Sequence, residues 1–266
     1  MSSSLQAQKR PIDPYGELGL VGGYSYYIGD INPTKHFNQR KKFAYGMFYR
    51  MNLTRRHALR LQYLRASVEG FDSDNEDPVL VNRNLNFRSK IDEISLVLEI
   101  NYHDFTYGRN GYKVSPYLFG GLAYFNMNPE AELDGNYYEV IPLGTEGQGS
   151  ADGPSAYKRG QISIPFGAGV KAVLTKRISL NFEWGMRKTF TDHLDDVSGV
   201  YADPDAIRDF SGNLGRELAD RSLTPLRPDG NNTGMLRGDP ERNDWYVYSG
   251  ITLAIRLGKD SNGCWR

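Results

Sequence analysis

No stretch of this 266-residue chain approaches the ~18 consecutive apolar residues that a membrane-spanning helix requires. Net charge is missing too. The 32 Lys and Arg balance the 32 Asp and Glu, so nothing in the charge points to a nucleic-acid partner. Cysteine is nearly absent: Cys264 stands alone, three residues from the end, which excludes an internal disulfide framework. There are four histidines, and no zinc spacing, phosphate-binding glycine loop or serine nucleophile elbow occurs. The His-x-Ser pair of a lipid A deacylase is also lacking. No cofactor or resident metal is therefore expected. Mean hydropathy is −0.56 and hydrophobic content 39%. Low hydropathy does not exclude the membrane, because a spanning strand needs only about 10 alternating residues.

Alternation is what the chain has. In 178–189, Ile178, Leu180, Phe182, Trp184 and Met186 take every second place, with Ser179, Asn181, Glu183, Gly185 and Arg187 between them. In a strand such residues form one greasy face and one polar face. Eight segments behave in this way: Tyr15–Ile28, Lys42–Leu53, Ala58–Glu69, Ile91–Asp104, Val114–Phe125, Gln161–Leu174, Ile178–Phe190 and Trp245–Leu257. The segment Val114–Phe125 reads in either register. Arg65 falls on the greasy face of Leu61 and Tyr63, at the expected edge of the apolar band.

The connections at 54–57, 105–113 and 175–177 are short, while 29–41, 70–90, 126–160 and 191–244 are long. Short and long strictly alternate. Outer-membrane barrels have this rhythm, with short periplasmic turns, long external loops and both termini periplasmic. The polar faces collect Glu17, Glu93, Glu99 and Glu183 against Arg50, Arg60, Lys171, Arg187 and Arg256. Eight strands enclose room for side chains only, so these nine residues are expected to form a lumen ion-pair network among Gly and Ser. A soluble antiparallel barrel is the competing reading, but it would bury those charges while exposing a band of Leu, Ile, Phe and Tyr. The fold class expected is all-β: an eight-stranded antiparallel up-and-down transmembrane β-barrel.

Three regions are expected. Residues 1–14 are a tail in which Ser2–Gln8 resembles the end of a signal peptide, without its charged start and apolar middle. Residues 15–257 form the barrel. Within the loop 191–244, Ile207, Phe210, Leu214 and Leu218 recur at helical spacing, predicting a short helix folded over the barrel mouth. Residues 258–266 are a periplasmic tail carrying Cys264. An intermolecular disulfide to a partner and an inert thiol are both open for it.

One loop segment carries residues suited to chemistry. Asp192, His193, Asp195 and Asp196 could activate water, as in omptin-type proteases, or bind a cation through oxygen ligands. Acids that cap loop turns are the plainer reading.

Four stretches resemble a known family: Gly22–Thr34, Arg83–Ser89, Ser115–Gly121 and Thr191–Ser198. In this order they are similar to the PorG-type outer-membrane proteins of the type IX secretion system of Bacteroidota. The resemblance spans about residues 15–257. It implies a non-catalytic scaffold in the bacterial outer membrane, in contact with its lipids. Its partners would be the periplasmic ring lipoprotein PorK and PorN, with no nucleic acid and no cofactor. An adhesin, a receptor or a loop-based hydrolase is the alternative.

Overall fold

The computed structural model describes residues 14–33, 35–36, 40–107, 112–151 and 153–258. The chain runs β1 (Tyr15–Ile28), β2 (Lys42–Asn52), β3 (His57–Phe71), α1 (Pro78–Arg83), β4 (Asn86–Asn101), β5 (Val114–Leu133) and β6 (Asn136–Glu139). It continues through β7 (Gly160–Val173), β8 (Ile178–Thr189), α2 (Pro204–Ala219) and β9 (Trp245–Arg256). Each long strand pairs antiparallel with its neighbours, and β1 pairs with β9 from Glu17↔Arg256 to Ile28↔Trp245. The sheet is thus a closed eight-stranded barrel. The short β6 only folds back on the end of β5.

Alternation decides which way the wall faces. Leu20, Leu118, Leu122 and Ile162 are more than half exposed on the outside, with Phe182, Ile94 and Ile251 beside them. Along β4 and the residue that follows it the band runs over nine residues from Ile94 to Tyr102, the length of one spanning strand (~9–11 residues). Above it the outer face turns polar: Arg65 pairs with Asp92 at 3.6 Å, and Tyr63 donates to Asp92 at 2.5 Å. Tyr24, Phe43, Tyr45, Tyr63, Tyr124 and Trp245 ring this edge, where amphipathic rings meet both lipid and water. A wall that is greasy outside and charged inside is stable only with lipid around it. In water it would expose the apolar band while desolvating charge.

The inner face interleaves bulk with glycine. A Cβ at Gly19 would lie 2.3 Å from the Phe48 ring, and at Gly185 2.5 Å from the Phe119 ring. The missing side chains make room for aromatics that fill a narrow lumen. The doubtful register of β5 resolves accordingly: Tyr117, Phe119, Ala123 and Phe125 point inward, and Leu118, Leu122 and Tyr124 outward.

Several expectations need correction. β5 runs eight residues beyond Phe125 and turns at Asp134-Gly135 into β6, because Met127, Pro129 and Ala131 find cover in the loops. β4 begins five residues before Ile91 and pairs with that extension. α1 was not foreseen; Asp77 caps it, accepting from Val79 N at 2.9 Å. Tyr26 lies on the outward face yet is buried, since the loop brings His36 within 3.3 Å of its hydroxyl. α2 forms where predicted, broken at Gly212 (φ 76°). It does not cover the mouth. Leu218 packs on Ala131 and Val140 beside the β5–β6 extension, and Phe210 stays exposed. The mouth is instead closed by Leu194 and Val197 packed on Tyr27, Ile31, Phe87 and Phe125.

Candidate functional site

Three places could carry function: the lumen, the loop end and the turn end. In the lumen, Glu99 is the hub. Its carboxylate meets Arg50 Nε at 2.8 Å, Arg60 Nε at 3.1 Å and Lys171 Nζ. Arg50 also binds Glu17 at 2.8 Å, and Glu17 accepts from Asn52 at 2.8 Å. Arg60 pairs with Glu183 at 2.6 Å, which accepts from the Tyr117 hydroxyl at 2.8 Å. Nearer the loops, Arg187 meets Glu93 at 3.1 Å, and Tyr246 donates to Glu93 at 2.7 Å. These eight charged residues are buried, four of each sign. Arg256, at the turn end, stacks over Tyr15 at 4.6 Å and makes no ion pair with them. Tyr15, Phe105 and Tyr107 floor the barrel. Ion pairs fill the lumen, and apolar and aromatic side chains pack across both of its ends among the described residues. Buried charges of this kind persist only when matched, because each costs several kcal/mol to desolvate (~).

At the loop end the sequence-predicted acids part company. Asp195 and Asp244 lie either side of Tyr27, whose hydroxyl reaches Asp195 and Asp244 Oδ1 (2.7 Å). A hydroxyl has one proton to give. One of the two acids must therefore hold a proton and donate it back. Burial pushes both well above the usual carboxylate range, with Asp244 and Asp30 adding repulsion at Asp195, and Asp192 and Asp30 adding it at Asp244. Asp244 also accepts from Leu194 N at 2.9 Å, and Asp195 from Val197 N at 2.9 Å. Asp196 accepts from Tyr157 (2.6 Å) and Thr145, and burial raises it to about 6 despite Arg237. Burial pushes Asp192 up to about 8, against the pull of Ser198, with Asp30 and Glu146 adding repulsion.

His193 does not join them. Its ring stacks on Tyr157 (4.4 Å, 11°), its Nδ1 has no hydrogen-bond partner, and burial lowers its basicity. A general base needs hydrogen-bond reach to the group it activates, and among the described residues the His193 ring pairs with no carboxylate or hydroxyl. Nor does any group of three His, Cys, Asp or Glu among the described residues have metal-binding geometry. The cluster works as a clamp.

Sequence reasoning missed the cations that complete it. Arg83 forks onto Asp72 (both contacts 2.7 Å) and also donates to the carbonyls of Arg237 (2.6 Å) and Asp30 (3.0 Å). Arg237 binds Glu146 at 2.9 Å and the carbonyls of Asp196 (2.5 Å) and Ala219 (3.0 Å). These two arginines tie the four long loops together. The sole local signal was Arg83 at the start of Arg83–Ser89; Arg237 had none.

At the turn end lie Arg55, Arg56, Lys113, Lys176 and Arg177, with Asp104 the only acid among the described residues of these turns. Both barrel-end residues, Tyr15 and Arg256, sit here: Arg256 N donates to Arg177 O (2.7 Å) and Leu257 N to Gly16 O (2.8 Å). Cys264 and the tail segment Ser2–Gln8 lie outside the described residues.

Comparison with known proteins adds a family and no activity. No curated protein matches the sequence. Among solved structures, the chain is similar to Ail, the attachment invasion locus protein of Yersinia pestis, solved with the heparin analogue sucrose octasulfate. Identity is 7% and the TM-score 0.42, over 92% of this chain and 100% of that one. It is similar to Neisserial surface protein A at 9% identity and TM-score 0.41, over 94% and 100% of the two chains. For the outer membrane protein OprG of Pseudomonas aeruginosa the figures are 10% and 0.37, over 92% and 97%. A family model described as a domain of unknown function, DUF6089, matches residues 3–217. With most of its length matched, this chain belongs to the DUF6089 family.

Proposed function

We propose that this protein is a non-catalytic component of the bacterial outer membrane that anchors the periplasmic PorK–PorN ring of the type IX secretion machinery. The observation that carries the reading is the plugged lumen. Eight matched charges packed inside and aromatic residues across the floor support a barrel that is a plug and not a pore. Its work then belongs to its ends. The turn end suits a periplasmic partner: it is strongly basic, and the first and last strands of the barrel, β1 and β9, begin and end there. The four sequence stretches similar to PorG-type proteins supply the identity of that partner. Among the described residues His193 stacks on Tyr157 with its Nδ1 unpaired, an arrangement that supports scaffolding over hydrolysis.

The direct test is deletion of the gene followed by membrane fractionation. Ring components should lose their co-sedimentation with outer membrane, and full-length protein should restore it. Ring components that still co-sediment would sink the proposal. Cross-linking through Cys264 under non-reducing conditions tests the disulfide separately. A protein that migrates identically with and without reductant would remove it.

A second reading, surface recognition through the loops, has its own support. Val79, Leu223 and Leu236 are each about two-thirds exposed at the loop end, on loops the Arg83 and Arg237 clamps hold in place. Shaving the loops from intact cells should then abolish binding to a surface ligand while secretion continues.

A further inference from the structure

The outer wall is not uniform. Where β4, β5, β7 and β8 run side by side, the small residues Pro116 and Ala168 stand between Leu118, Val170, Phe182 and Trp184. The wall dents there into a groove of about 1230 Å³. Typical small-molecule pockets occupy ~300–1,000 Å³, so this one suits a ligand of lipid size. At the turn end the groove reaches Arg56, His57, Tyr102 and His103. Tyr102 meets the His103 ring edge-on at 4.8 Å, and Tyr112 stacks on it at 4.4 Å, the kind of aromatic cluster that sits at headgroup depth. Arg56 pairs with Asp104 at 2.8 Å and remains 56% exposed. Among the described residues of the turns, five basic side chains against the single acid Asp104 leave this end cationic.

We propose that this groove is a binding site for one anionic phospholipid of the adjoining leaflet. An acyl chain would lie along Ala168 and Pro116, with the phosphate held at Arg56 and His103. The proposal rests on the reading of the chain as a membrane-spanning barrel. Depth and charge choose the occupant. The groove lies within the apolar band, where a peptide partner would strand backbone groups without hydrogen bonds, at several kcal/mol each (~). A lipid tail has no such groups to satisfy. The cationic end then selects an anionic headgroup over a zwitterionic one.

The test uses the full chain reconstituted into vesicles of phosphatidylethanolamine and phosphatidylglycerol, then released for native mass spectrometry. Wild-type protein should retain one phosphatidylglycerol in preference to phosphatidylethanolamine. Ala168→Phe should fill the groove and abolish retention of either. Arg56→Gln should cut the preference about fivefold, the worth of one basic residue near an anionic surface, and leave phosphatidylethanolamine retention unchanged. Equal retention by wild type and A168F, or no headgroup preference in the wild type, overturns the site. So does a photo-cross-linker at position 168 that captures protein instead of lipid in cells. Heat-modifiable migration of the same samples checks the barrel separately: its loss would refute the membrane reading, and its persistence without lipid retention would refute only the site.

Discussion

Glu99→Gln is the most informative perturbation of the lumen. Glu99 meets three cations at once, and two of them have a second carboxylate: Arg50 has Glu17 and Arg60 has Glu183. Lys171 has no other ion pair among the described residues. Neutralising Glu99 turns a four-to-four balance into four cations against three anions, with the excess on Lys171. Removing one partner of a buried pair costs roughly 3–5 kcal/mol, because the other charge is left in a dry site. The double change Glu99→Gln with Lys171→Met restores three against three. It should recover a large part of that loss, an interaction energy of the size expected of touching residues, about 0.5–3 kcal/mol. The assay is urea unfolding of protein refolded in detergent micelles, followed by heat-modifiable migration and tryptophan fluorescence. A single variant within about 0.5 kcal/mol of wild type would refute the reasoning, since surface substitutions typically fall in that range. So would a double variant less stable than the single.

Other expectations follow from the same contacts. Planar bilayers carrying the protein should show no open-channel conductance, and steady ion currents would contradict the plugged lumen. Arg83→Ala should loosen the loops by about 3–5 kcal/mol of local stability, given its fork on buried Asp72. Limited proteolysis should then cut the loops while the barrel keeps its heat-modifiable shift; loops as resistant as wild type would contradict the clamp. The loop cap should weaken as pH rises. Asp196 and Asp192 titrate at about 6 and about 8 in the folded state, with Asp195 and Asp244 raised as well, against ~4 in an unfolded chain. The folded state therefore binds more protons, and its stability is complete below ~4 and falls through pH 6 to 8. Hydrogen exchange of residues 191–198 reads this directly, and protection that grows with pH over that range would reverse the sign. Gly185→Leu should overpack the lumen against Phe119 and cost about 1–3 kcal/mol, checked in the same urea assay.

Much of the barrel was legible because a strand's side-chain period is two. Ile178–Thr189 could be assigned its inner and outer faces from Glu183 and Arg187 alone, and the structure buries both. The alternating lengths of the connections placed them at opposite ends. The loop site was less legible. Asp192, His193, Asp195 and Asp196 looked like one chemical group because they are adjacent in sequence. Folding sends Asp195 to Tyr27 and Asp244, Asp196 to Tyr157 and Thr145, and His193 onto a tyrosine face. Their partners come from segments 36 (His193 to Tyr157) to 168 (Asp195 to Tyr27) residues away, and no local pattern announces them.

The sequence by itself determined the eight strands of the barrel wall, their faces and the two unequal ends. All of these follow from period-two alternation and from connection length. Only the tertiary structure decided which acid meets which base, that Leu194 and Val197 rather than α2 close the mouth, and where the wall dents. The reason is physical. Alternation is a property of one strand, whereas an ion pair across the lumen or a groove shared by four strands depends on closure and register, which bring distant residues to the same height.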